Sequence, residues 1–109
     1  TSIMNKEIKD KWITALRSGE YKQGKHNLRT DNRFCCLGVL CDIHAKETNT
    51  EWTEHGRYLS TNITLPLGVV RWAELNSPSP DAGEYLLEVL NDERDYTFEQ
   101  IADEIEKHL

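Results

Sequence analysis

The sequence predicts an α+β domain, mostly helical, with about five helices around a small antiparallel ribbon of two or three strands. Three observations carry this. Apolar residues recur at helical spacing in several separate stretches, most clearly over 97–109. Residues 20–35 break that pattern and set the turn-forming Thr30-Asp31-Asn32 between Leu28-Arg29 and Arg33-Phe34-Cys35, the pattern of a short hairpin. At 109 residues the chain is sized for one domain, 1–109, able to fold on its own core.

The first helix spans about residues 5–18. Asn5 suits its N-cap and Glu7 complements the dipole in its first turn. Ile8, Trp12, Ala15 and Leu16 share one face, and Gly19 is a natural stop. Ahead of it, Met4-Asn5-Lys6 reads as a start, with Thr1-Ser2-Ile3 as an expression remnant or a frayed terminus. The hairpin follows the loop around Gly24, and a ribbon this short needs helices or a third strand to hold it.

The second helix runs from Cys36 to about Glu47. Leu37, Leu40, Cys41, His44 and Ala45 form its apolar face, and Val39 and Ile43 widen that face until the helix reads as central. Gly38 inside it costs about 1 kcal/mol relative to alanine, a cost that close approach of a neighbouring backbone would offset. Residues 48–63 are polar, with Trp52 and Tyr58 as isolated aromatics, and 57–60 as a third strand. Thr64 before Pro66 reads as a cap for a helix over 65–75, ended by Ser77-Pro78-Ser79-Pro80. A helix over 84–91 and a turn over 91–95 precede the last helix. There Thr97 and Gln100 form a capping box, and Tyr96 can staple onto Ile101. The expected core comprises Ile8, Trp12, Leu16, Phe34, Leu37, Leu40, Cys41, Val70, Trp72, Leu86, Leu90, Phe98, Ile101 and Ile105.

Hydrophobic residues make up 38% and charged residues 29%, which places the chain among globular proteins rather than disordered ones. No apolar run approaches the ~20 residues of a membrane span. No basic-then-apolar leader opens the sequence, so no secretory signal is read. Charge is uneven within the net of −6: residues 1–33 carry eight basic and four acidic side chains, residues 34–109 five and fifteen. Such asymmetry can steer a partner, but solvated helix faces are the preferred reading.

Three cysteines, Cys35, Cys36 and Cys41, are an odd count that argues against a disulfide framework and for reduced thiols in a cytoplasm. Three roles compete for this block. In the first, Cys41 and His44, at i and i+3, share a metal ion; Cys36 lies about 140° around an ideal helix from Cys41, and no second ligand pair stands at standard spacing. In the second, Cys36 at a helix N-terminus is a nucleophile, with a base among His26, His44, His55 and His108. In the third, the thiols are small hydrophobes packing a central helix, and this reading is preferred. His44 reads as a satisfied core or boundary residue; the other three histidines read as exposed.

The segment holding Lys22, Lys25, Arg29 and Arg33, flanked by Tyr21 and Phe34, could touch a nucleic-acid backbone. The sequence pI of about 5.1 runs opposite to the usual basic footprint. Charges that discourage edge pairing of a hairpin explain the same residues. Asp103, Glu104 and Glu106 fall on the solvent side of the last helix. Asp92, Glu93 and Asp95 lack the alternation of a calcium loop. No phosphate loop, dinucleotide fingerprint or nucleophile elbow is present, and no cofactor is expected.

Three stretches together, Trp12–Gln23, Arg33-Phe-Cys-Cys-Leu-Gly-Val-Leu-Cys-Asp42, and Leu90-Asn-Asp with Phe98–Glu106, carry a resemblance. The chain resembles a family of small uncharacterised proteins encoded by tailed bacteriophages and prophages. The double-cysteine block is the most specific part. That family has no assigned activity, so no catalytic residue transfers. The resemblance implies a bacterial cytoplasm during infection or a prophage-bearing host. The leading expectation is a non-enzymatic accessory protein of phage origin that binds a host or phage protein. The alternatives are a small nucleic-acid-binding module using the basic hairpin 22–33, and a cysteine enzyme using Cys36.

Overall fold

A central helix, α2 (Cys36–Thr48), organises the molecule, and nine of its thirteen residues are buried. The computed structural model describes residues 4–109, so the expectation for Thr1-Ser2-Ile3 lies outside the described residues. The architecture is α+β and mostly helical, as the sequence predicts: five α-helices, a three-stranded sheet and a two-stranded ribbon.

α1 (Lys6–Arg17) is capped by Asn5, whose side chain accepts from the Ile8 amide, and Gly19 follows it at φ +78°. Its apolar face packs on α5 (Phe98–His108) and α2. The outer edge of the α1–α5 seam is laced by Arg17, which pairs with Asp103 at 2.6 Å and Glu106 at 3.4 Å. Inside it, the Trp12 indole donates to the Cys36 carbonyl at 3.0 Å. The capping box of α5 forms as its sequence predicts, Thr97 and Gln100 each accepting from the other's backbone amide.

The hairpin also forms, as β2 (Arg29–Thr30) and β3 (Arg33–Phe34). The third strand is a correction. It is β1 (Lys22–Gln23), which joins β3 in parallel, Lys22 opposite Arg33 and Gln23 opposite Phe34, giving the order β1-β3-β2. Fully buried Asn91 holds it there: Gln23 donates to the Asn91 Oδ1 at 2.9 Å, and Asn91 donates to the Gly24 carbonyl at 2.8 Å. Residues 57–60 cannot be that strand, because Leu59 and Ser60 turn the chain at φ +48° and +77°, closing Tyr58 onto Thr61.

Further expectations are corrected. Pro66, not Thr64, occupies the N-cap of α3 (Leu67–Ala73), without a side-chain cap; the Thr64 carbonyl instead accepts from the Thr61 hydroxyl. The stretch read as one helix from residue 84 divides into a ribbon, β4 (Asp81–Ala82) with β5 (Tyr85–Leu86), and α4 (Leu87–Asp92). Leu86 therefore points outward, 40% exposed, and Leu87 takes the core place expected of it. Trp72 is half-buried, at the margin of the core rather than in it. Tyr58, read as isolated, is fully buried. Among the described residues, no helix is long and apolar enough to cross a membrane.

Candidate functional site

The residues singled out in the sequence separate into a sealed interior group and an open face. Cys36 is the first residue of α2, at the helix N-terminus as expected, but it is wholly buried and its thiol donates to the Leu87 carbonyl at 3.6 Å. Burial pushes this thiol well above its ordinary range, which opposes the ionisation a nucleophile needs. Cys35 caps α2 through its sulfur, which accepts from the Gly38 amide at 3.4 Å, and burial pushes it up to about 12. Cys41 is buried and shifted the same way by the same cause.

His44, the partner proposed for Cys41, directs its Nδ1 at the Tyr58 hydroxyl at 2.5 Å, with its ring edge-on to Trp72 at 4.9 Å. Burial lowers its pKa, as desolvation does for a cation. Its place in the core matches the reading of a satisfied core histidine. His26, His55 and His108 are exposed, as expected. Among the described residues, no three His, Cys, Asp or Glu side chains come together as a metal-binding group.

The four basic residues of the hairpin region are not equivalent. Lys25 pairs with Asp95, and the Arg33 guanidinium turns back to the Gln23 carbonyl at 3.4 Å. Lys22 is exposed on β1. Arg29 stands apart. Its Nε donates to the Asp31 carbonyl at 2.9 Å, and its guanidinium lies over Phe34 at 5.1 Å and Trp52 at 5.5 Å. Among the described residues it forms no ion pair.

Arg29 is built into an aromatic row. Tyr21, Phe34, Trp52, Tyr58 and His44 follow one another at centroid distances of 5.1, 5.9, 5.0 and 5.6 Å. The Asp42 carboxylate ties its first and third members, accepting from the Tyr21 hydroxyl at 2.6 Å and the Trp52 indole at 3.0 Å, with Lys46 at 3.3 Å. Asp42 projects from α2, so the rigid central helix fixes the row. Beside it, Gly56 at φ +71° lies against β2: a Cβ there would meet the Arg29 carbonyl at 1.9 Å.

Three adjoining concavities meet at Arg29. The largest, about 730 Å³, opens between the Thr30–Asn32 turn and the Thr53–Gly56 loop and is bordered by Asn27, Trp52, His55 and Asn62. The second, about 550 Å³, is bordered by Trp52, Asp42 and Lys46; the third, about 350 Å³, by Tyr21, Lys22 and Phe34. This face can present a cation on an aromatic platform to an anionic group, with amide and indole groups alongside. Of its members the sequence singles out Arg29 and Lys22 by charge. Asp42 and Asn62 carry no local signal, His55 stands out only as a candidate base, and Trp52 only as an aromatic in a polar stretch.

A family model described as a domain of unknown function, DUF8296, matches residues 4–109. No curated protein and no solved structure matches the chain. The chain belongs to the DUF8296 family.

Proposed function

We propose that this DUF8296 member is a non-enzymatic accessory protein of phage or prophage origin. It acts in the bacterial cytoplasm by binding a host or phage protein through the Arg29–Trp52 face. One observation carries the reading: an arginine that forms no ion pair among the described residues lies over two aromatic rings where three concavities meet. Arginine and tryptophan dominate the energetics of protein interfaces, because each buries a large, rigid surface while keeping a hydrogen-bonding edge. The origin rests on the phage-family resemblance of the double-cysteine block.

Nucleic acid is a weaker fit for the same surface. Lys25 and Arg33 are engaged within the chain, and exposed Asp31 and Glu54 stand at the rim of the largest cleft. A phosphate backbone rewards a continuous cationic strip, which this face lacks.

The test is capture of partners from bacterial lysate by the tagged chain, with and without nuclease, beside Arg29→Ala and Trp52→Ala. The expected result is a stoichiometric protein that survives nuclease and is lost with both variants. Loss of every partner on nuclease treatment overturns the reading in favour of nucleic acid. Equal capture by the variants removes this face from the interaction.

A further inference from the structure

Resting on the reading of this face as a protein-binding surface, we propose that the cleft between the Thr30–Asn32 turn and the Thr53–Gly56 loop takes an acidic peptide segment of the partner. One Asp or Glu carboxylate binds end-on to the Nη1/Nη2 edge of Arg29, and a neighbouring apolar side chain rests on Trp52.

The guanidinium geometry selects the carboxylate. The Nε of Arg29 is occupied by the Asp31 carbonyl, and its Cζ lies over Phe34 at 5.1 Å and Trp52 at 5.5 Å from the ring centroids, while its two terminal nitrogens make no hydrogen bond among the described residues. What remains is the edge formed by the two terminal nitrogens, whose parallel N–H bonds match the two oxygens of a carboxylate. Stacking on the rings also holds the side chain in place, so binding orders it little further.

The cleft supplies the rest of a peptide site. The side-chain amides of Asn27 and Asn62 border it, half-buried, and make no hydrogen bond among the described residues. An amide offers both a donor and an acceptor, which is what a peptide backbone requires. The walls hold two non-glycine residues at positive φ, Asp31 at +57° and His55 at +63°. Strain in non-glycine residues such as Asp31 and His55 persists where surrounding structure imposes it, and it gathers at binding sites.

The same rim discriminates among anions. Asp31 and Glu54 flank the cleft and are exposed, and the chain carries −6 overall. A polyphosphate backbone must lay several charges along this rim. A peptide places one carboxylate at Arg29 and neutral groups beside the acids.

The experiment is selection of a random short-peptide display library on the full chain, followed by anisotropy measurements on labelled peptides that emerge. Arg29→Ala and Arg29→Lys serve as comparisons, each first checked for unchanged thermal melting. The expected result is enrichment of peptides pairing Asp or Glu with an aromatic or aliphatic residue. Their binding should weaken about tenfold or more in both variants, and equally when the peptide acid is replaced by its amide. The lysine variant keeps the charge and loses the fork, so its failure separates bidentate recognition from simple attraction. Peptides without acidic residues, binding indifferent to Arg29, or no enrichment each overturn the inference. Tighter binding of labelled oligothymidylate than of any selected peptide does so as well. Lysate capture that still depends on Arg29 and Trp52, beside a failed peptide selection, leaves the protein-binding reading standing and rejects only the peptide chemistry.

Discussion

The backbone of Leu28 lies directly on Gly38: a Cβ at Gly38 would sit 1.8 Å from the Leu28 carbonyl oxygen. The same oxygen accepts from the Cys35 amide at 3.2 Å, so the segment leading into Arg29 is seated on the first turn of α2. The close backbone approach expected of a glycine in a central helix is present, and it positions the residue on which the candidate site depends.

Replacing Gly38 with alanine should therefore destabilise the fold despite alanine's better helix propensity. The obstructing atom is backbone and cannot rotate away, so the overpacking cost of about 1–3 kcal/mol should outweigh the ~1 kcal/mol propensity gain. Urea unfolding of Gly38→Ala checks this; a midpoint equal to or above wild type would contradict the contact.

Asn91→Ala should cost about 1–3 kcal/mol, because it strips partners from the Gly24 carbonyl and from one of the two bonds of the Gln23 amide. The loss should be local to β1. Amide exchange is the sharper readout: protection at Gly24, whose amide donates to the Phe34 carbonyl at 2.7 Å, should fall further than protection in α5.

Stability should decline on acidification through His44. Burial lowers its pKa in the fold below the ordinary value of 6.5, so the unfolded chain binds the proton first as pH falls. The contribution is complete above about 6.5 and is lost as pH drops below it. His44→Gln removes the titration while keeping a polar group near Tyr58. Its urea midpoint should fall less than that of wild type between about pH 7 and about pH 5.

Cys35, Cys36 and Cys41 should resist thiol reagents in the native state. All three are buried, and burial raises each thiol, Cys35 to about 12. Ellman's reagent at neutral pH should titrate essentially none until denaturant is added, and then all three. Rapid native reaction at Cys36 would mean an accessible thiolate and would restore the nucleophile reading.

Much of the fold was legible because its cues are local. The Asn5 cap, the capping box at Thr97 and Gln100, and the hairpin over Asp31-Asn32 each depend on residues a few positions apart. The third strand and the boundary at Leu87 were not legible, since no nearby residue specifies them. β1 is two residues long and polar, and a buried asparagine from α4 decides its place. Leu86 and Leu87 are both apolar, and the turn at Gly83, which brings Tyr85 opposite Ala82, decides which of them enters the core.

The sequence by itself determined α1, α2 and α5, the caps of α1 and α5, the wide apolar face of α2 and the need for a close neighbour at Gly38, because periodicity and capping act within one or two turns. Tertiary structure alone decided what those elements present to a partner. Lys22, Lys25, Arg29 and Arg33 look alike along the chain, yet Asp95 engages Lys25, the Gln23 carbonyl engages Arg33, and Arg29 is left on Phe34 and Trp52. Cys36 sits at a helix N-terminus in the sequence, yet Leu87 and the surrounding core seal it. The reason is physical: a side chain's charge state and availability are set by desolvation and by partners from distant segments, and neither follows from the spacing of residues along one element.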